Sequence, residues 1–330
     1  MTPTVSVIIS TYNRRHLLPV ALQSVLRQRF DDFEVIVVDN GSTDGTSAVL
    51  DDFDDPRLVR VRNEVSLGPT GGRNCGIDRA RGRWVSVLDD DDMWSPDKLA
   101  AQVDALQRSG RTWAFSGVVF IGRAGNVLAG APPPDADRVM RTLPHLYSVP
   151  GGASSVIWER GALDQGGRLD PGLFYTIDWD LCLRLARTGP PAVVSAPHVA
   201  YRLHGANMSR FAASFEHEFD IIEEKFGDLR NGRPVWRAAH HRYLGGVLLR
   251  GGERRAAAAC YVRAVAAGDW SSLLRLVSVV LPNSVSERAV RWFRSEQRYL
   301  REARTWVPSR AHRRPSVNQI QPSETARLRS

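Results

Sequence analysis

The chain of 330 residues is about twice a usual domain, and with 43% hydrophobic and 24% charged residues it is ordinary globular material able to bury a core. Its cysteines, Cys75, Cys182 and Cys260, are too few and too scattered for a disulfide scaffold or a cysteine zinc site, and they fit a reducing compartment. The net charge of +8 is uneven: residues 1–210 hold 23 basic against 24 acidic side chains, and 211–330 hold 21 against 12, so a polyanionic partner is expected only of the last third.

Met1 runs almost directly into a strand-like stretch without a basic leader, so no signal peptide is expected. Val5 to Ser10 is a short β-branched run, the pattern of a buried strand. Leu17, Leu18, Ala21, Leu22, Val25 and Leu26 follow at helical spacing. Glu34 to Asp39 reads as a second buried strand, Asn40 to Gly45 as a turn, and Ser47 to Phe53 as a helix capped by that turn. Leu58 to Val61 predicts a third strand. The glycine-rich run Gly68 to Gly72 opens a helix over Arg73 to Ala80, and Trp84 to Leu88 predicts a fourth strand ending in Asp89 to Asp92. This rhythm implies an α/β fold, an open, mainly parallel sheet flanked by helices, with ligands at the carboxyl ends of the strands. Beyond it, Pro96 to Arg108 and Asp178 to Arg187 read as helices. Thr112 to Ile121, and segments near Val193 and Val199, read as strands. From about Ser214 the pattern is helical, and from Pro308 it reads as disordered. The division expected is a catalytic domain over 1–210, a basic helical extension over 211–307 and a tail over 308–330.

Three acidic clusters fall where such a sheet presents ligands. Four aspartates, Asp89 to Asp92, leave a buried strand together, and a divalent cation would relieve their repulsion. Asp39 ends the second strand, where a carboxylate meets a ribose or base, while Ser42, Thr43 and Asp44 suit a loop and helix cap. Asp178 and Asp180 lie in the first turn of an apolar helix, as dipole-stabilised caps or as a general base at a cleft rim. His204 is open between a metal or phosphate partner and a structural histidine.

Taken together, Val5 to Arg14, Val37 to Asp44, Gly72-Arg-Asn74, Leu88 to Asp92, Asp178-Trp-Asp180 with Arg184, and Tyr201 to His204 resemble the family 2 glycosyltransferases over roughly residues 3–210. The resemblance implies a GT-A fold and transfer of a sugar from a nucleotide-sugar donor, UDP-linked, with inversion at the anomeric carbon. It implies a saccharide or lipid-linked acceptor, as in cell-envelope polysaccharide or glycolipid synthesis. By the same resemblance Thr11, Tyr12, Asn13, Asp39, Asn40, Ser42, Arg73, Asn74, Asp89 and Asp90 bind the donor. Asp91 and Asp89, with His204, hold Mg2+ or Mn2+, and Asp178 is the general base. Two departures leave choices open. Ile177 stands where the family often has an acid, so Asp180 competes with Asp178, and Asp90 with Asp92 fits the same spacing as Asp89 with Asp91.

In the last third, Val285, Val290, Trp292, Phe293, Leu300, Ala303, Trp306 and Val307 recur near helical spacing among arginines. Such a basic amphipathic helix suits an anionic membrane surface or packing on the catalytic domain, and the pattern allows both. The best apolar stretch, Leu273 to Leu281, is too short to span a bilayer and holds Arg275, so the expected location is cytoplasmic, peripheral at the inner face of the plasma membrane. A nucleotidyltransferase also presents strand-end aspartates to Mg2+ but lacks here a glycine- and lysine-rich loop near the first strand. A nucleic-acid-binding module would use the basic third, yet it lacks a stacking platform, so nucleic acid is not the expected partner.

Overall fold

The computed structural model describes residues 2–164, 168–203, 216–280 and 294–307. The first half alternates strand and helix: β1 (Val5–Thr11), α1 (Leu18–Leu26), β2 (Phe33–Asn40), α2 (Thr46–Asp51), β3 (Leu58–Asn63), α3 (Gly68–Ile77) and β4 (Trp84–Val87). These four strands lie in the order β3-β2-β1-β4, all parallel. The chain therefore moves outward from β1 through β2 to β3, then crosses back to place β4 on the other side of β1. Between β1 and β4 the order reverses, and the loops part to leave a crevice at their carboxyl ends.

The apolar runs of β1 and β2 bury both faces of the sheet. Ile8, Ile36 and Val38 belong to one buried cluster, and Val5, Val7, Ile9, Val35 and Val37 to another that includes Leu18, Leu22 and Val25 of α1. That is why these strands read as continuous hydrophobic stretches and not as alternating ones.

β5 (Met93–Trp94), α4 (Lys98–Ser109), β6 (Trp113–Ile121), β7 (Val127–Ala131) and α5 (Ala136–Thr142) follow. Next come β8 (Val156–Glu159), α6 (Arg160–Asp164), α7 (Ile177–Ala186) and β9 (Ala192–Arg202). They extend the sheet as β4-β8-β6-β9-β5, with β7 paired to β6. The outer part is mixed: among the described residues four of the eight strand pairings are antiparallel, all of them in this part, where β6 with β9 is the parallel one. The segments near Val193 and Val199 are one strand, whose register against β6 shifts beside Gly117.

The glycine run does not precede its helix. α3 begins at Gly68, with Pro69 in the first turn where its missing N–H costs nothing. Gly72 and Gly76 let this helix lie close on the sheet: a Cβ on Gly76 would sit 2.5 Å from Ile8 Cγ2, and one on Gly72 would strike Ser10 and Asn40.

The extension comprises α8 (Glu216–Lys225), α9 (Gly227–Arg230), α10 (Arg237–Arg250), α11 (Arg254–Ala266), α12 (Ser272–Val280) and α13 (Arg294–Arg304). The core does not end at residue 210. Phe219, Ile222, Phe226 and Val235 share one buried cluster with Val85, Trp158 and Trp179 of the sheet and α7. α13 sits on the far end of the sheet, where Tyr299, Ala303 and Val307 pack with Met93, Val119, Ile121 and Ala200. The described end of the basic stretch is thus a packed helix. His204, the segment 281–293 and the tail from 308 lie outside the described residues.

Candidate active site

β1 and β4 are registered with Ile8 beside Val87, so the residues just past each strand meet across the crevice. Thr11 Oγ1 donates to Asp90 Oδ2 at 2.7 Å, and Ser154 Oγ accepts from the Asp89 N–H at 3.1 Å. The four aspartates then diverge. Asp89, Asp90 and Asp91 line a cavity of about 440 Å³. Asp92 turns inward, where its carboxylate accepts from Ser154 Oγ at 2.8 Å and the Arg202 N–H at 2.9 Å. Burial and the crowding of like charges raise Asp89 and push Asp90 up to about 7, and Asp92 stands well above the carboxylate range for the same reasons.

Two arginines counter this charge. Arg14 Nη1 lies 3.2 Å from Asp91 Oδ2. Arg73, projected from α3 and almost wholly buried, donates to Asp89 Oδ1 at 2.5 Å and to Asp178 Oδ1 at 3.1 Å. Burial works against its charge, but the two carboxylates outweigh burial and hold the guanidinium above its ordinary value. One side chain thus ties the strand-end cluster to a carboxylate 89 residues further along the chain.

α7 separates its two acids. Residues two apart on a helix point roughly 200° from one another. Asp178 faces the cavity, and its Oδ2 lies over Gly152, where a Cβ would come within 2.6 Å. Asp180 points into the protein, fully buried, paired with Arg184 at 3.0 Å and Lys225 at 2.6 Å. Of the two, only Asp178 is open to a ligand in the cavity.

Tyr12 and Asn40 also line the cavity. Other residues expected at the donor make hydrogen bonds within the protein. Asp39 is buried and accepts from the Ser42 N–H at 2.9 Å and from Ser47 Oγ. Asn13, in the left-handed region at φ 53°, accepts from the Thr43 N–H at 2.8 Å, while its own N–H donates to Ser42 Oγ at 2.9 Å. These three residues hold the loops after β1 and β2 together. Asn74 does not face the cavity: its amide makes paired bonds of 2.9 and 3.0 Å with the backbone of Leu169.

Of the opposite wall, only Trp179 and Tyr201 belong to motifs singled out in the sequence. Tyr147, Tyr175, Trp179 and Tyr201 join Tyr243, Leu244 and Val247 of α10. Glycines at Gly151 and Gly152 mark the turn beneath Asp178, both at positive φ, and they were the one local sign of a close approach there. Nothing near α10 in the sequence carries a motif.

A cation fits this cluster. Asp89, Asp91 and Asp92 bring one carboxylate oxygen each within 4.8 Å of one another, a hard-oxygen donor set of the kind Mg2+ and Mn2+ take. Asp89 and Asp91 face the cavity, each also paired with an arginine, whereas Asp92 is turned inward onto Ser154 and the Arg202 backbone.

The parallel half of the sheet thus sets strand-end carboxylates at its switch point, facing Asp178 across one cleft. The family model described as glycosyl transferase family 2 matches residues 6–153. An uncharacterized glycosyltransferase of Nostoc sp. is 30% identical over 220 residues, covering 64% of this chain and 68% of that protein. The Escherichia coli protein named UDP-Glc:alpha-D-GlcNAc-diphosphoundecaprenol beta-1,3-glucosyltransferase WfaP is 31% identical over 112 residues, covering 34% of this chain and 45% of the relative. The crystal structure of Staphylococcus aureus TarS 1–349 superposes with a TM-score of 0.55 at 18% identity, covering 91% of this chain and 89% of the other, which shows the fold to be of the same kind. The chain belongs to the family 2 glycosyltransferases. It spans about half or less of the length of the first curated relatives it matches.

Proposed function

We propose that the chain transfers a sugar from a UDP-linked donor to a hydroxyl of a saccharide or lipid-linked acceptor, with inversion at the anomeric carbon. The observation that carries this reading is the Arg73 bridge, which sets Asp178 and the strand-end aspartates on one cavity. Thr11, Tyr12, Asn40 and Arg73 would bound the nucleotide side. Asp89 and Asp91 would hold Mg2+ or Mn2+, which when bound offsets the negative charge of the nucleotide diphosphate. Among the described residues that line the cavity, Asp178 is the carboxylate on the aromatic side. As the acceptor oxygen bonds to the anomeric carbon, its proton passes to a carboxylate oxygen of Asp178 and the bond to the diphosphate breaks. Attack from the face opposite the leaving group inverts that carbon.

Support for a sugar acceptor comes from Tyr147, Tyr175 and Tyr243, which line the cavity with aromatic rings of the kind that pack on pyranose C–H groups. Support for a lipid carrier comes from α12. Leu274 and Val280 are 80% and 82% exposed, beside exposed Trp270, Leu273 and Val277. α11 and α12 together hold Arg254, Arg255, Arg263 and Arg275 and no acidic residue, the charge pattern that docks on an anionic leaflet. Among the described residues no helix is long and apolar enough to cross a membrane.

The test uses the full chain with UDP-glucose, UDP and Mn2+. Asp91→Asn should abolish Mn2+-dependent release of UDP, and near wild-type turnover would remove the cation site. Asp178→Asn should lose turnover by about 10²-fold or more while UDP still raises its melting temperature. Loss of UDP binding in that variant would make Asp178 structural.

A further inference from the structure

Glu218 lies in α8, in the extension and outside the residues matched by the family model. Its side chain is buried and aimed at the loop that leads into α7. One carboxylate accepts from the backbone N–H of Phe174 at 3.2 Å, of Tyr175 at 3.0 Å and of Thr176 at 2.8 Å, and from Thr176 Oγ1 at 2.9 Å. Successive N–H groups converging on one anion fix the backbone that carries them, because each charge-assisted bond restrains a different peptide plane.

That backbone is the platform of Asp178. Thr176 is the residue from which α7 starts, and its carbonyl accepts the Asp180 N–H at 2.9 Å. The ring of Phe219, next to Glu218, meets Trp179 edge-on at 6.2 Å and Tyr175 at 6.5 Å, while His240 of α10 lies 4.5 Å from Trp179. The extension therefore grips the chain on both sides of Asp178. A side chain 42 residues from Thr176 supplies the acceptor that a loop ordinarily finds in its own backbone.

We propose that Glu218 is a positioning residue for Asp178: its carboxylate clamps the 174–176 backbone so that the base stands where the acceptor hydroxyl attacks. The inference rests on the reading of Asp178 as base. A displacement of about 1 Å at such a group can cost roughly 10²-fold in rate, so the clamp should show in turnover and not in nucleotide binding.

The experiment uses full-length Glu218→Gln and Glu218→Asp, with Asp178→Asn as reference. The Gln amide sets an N–H donor against the backbone donors, whereas Asp keeps the charge on a shorter arm. Glu218→Gln should speed amide exchange across residues 172–178 at least tenfold. It should also lower kcat for UDP release from UDP-glucose with Mn2+ at least tenfold, with UDP affinity held within twofold. Glu218→Asp should recover part of both losses, and Glu218→Gln should add little in the Asp178→Asn background. Unchanged exchange, or turnover within twofold of wild type, overturns the clamp. So does loss of UDP affinity in step with turnover, which marks a general structural role. If Asp178→Asn retains turnover, the base reading falls and the inference with it. If Asp178→Asn is inactive while Glu218→Gln is not, the clamp alone is wrong.

Discussion

Lys98 is fully buried at the start of α4, with its ammonium 2.6 Å from Ser86 Oγ and 3.5 Å from the centroid of the Trp94 ring. No carboxylate among the described residues pairs with it, and burial alone drives its pKa well below 10.5. The unfolded chain therefore binds more protons than the native one between the lowered value and 10.5, and stability must rise with pH across that window, by at most about 1.4 kcal/mol per unit. Wild type measured against Lys98→Met by urea unfolding should gain stability as the pH rises toward 10.5, and a constant difference would mean the ammonium is solvated. Distant partners also explain what the sequence withheld at the acidic clusters. The strand-end position of Asp89 to Asp92 was legible because a β-branched run ended in four carboxylates. Which of them faced outward was not, since the choice depends on Ser154 and the Arg202 backbone, which lie far along the chain. Asp178 and Asp180 were likewise indistinguishable until Lys225, supplied by α8, claimed the second.

Strands and their partner helices could be read from apolar spacing wherever both faces of the sheet were covered. The reading left a choice open where packing between distant segments decides. α13 has the composition of an interfacial helix, yet its described residues dock on β6, β7 and β9. The reason lies in two glycines that sequence alone gives no cause to connect with it. Tyr299 fills the space left by Gly117 and Gly130, and a Cβ on Gly130 would stand 2.8 Å from Tyr299 Cδ1. Its hydroxyl donates to the Ala131 carbonyl at 3.3 Å. Tyr299→Ala should cost about 3 kcal/mol by emptying that space, and Gly130→Ala about 1–3 kcal/mol by overfilling it. Because both act at one contact, the double variant should lose less than the sum, measured by urea unfolding. A neutral Gly130→Ala would show that α13 is not seated there in solution.

The charge asymmetry of the chain acquires a direction once the helices are placed. The sheet-bound α13 buries Tyr299 and Ala303 on the sheet, while α12 keeps Leu276 and Val279 against the α10–α11 cluster and turns Leu273, Leu274, Val277 and Val280 outward. Through Leu244 and Tyr175 that cluster also borders the cavity, so the outward face and the acceptor side belong to one helical layer. Exposed Arg255 and Arg275 flank it. Each arginine near an anionic leaflet contributes about 1 kcal/mol, and the apolar side chains add an attraction that salt does not screen. Sedimentation with phosphatidylglycerol-containing vesicles should therefore fall, but not vanish, as ionic strength rises to about 0.5 M, where the screening length is below about 8 Å. Leu274→Glu with Val280→Glu should abolish it while UDP affinity is unchanged. Vesicle binding that survives both substitutions would move the contact away from α12, and a salt-independent self-association lost in the same variant would make this face a contact between two copies of the chain.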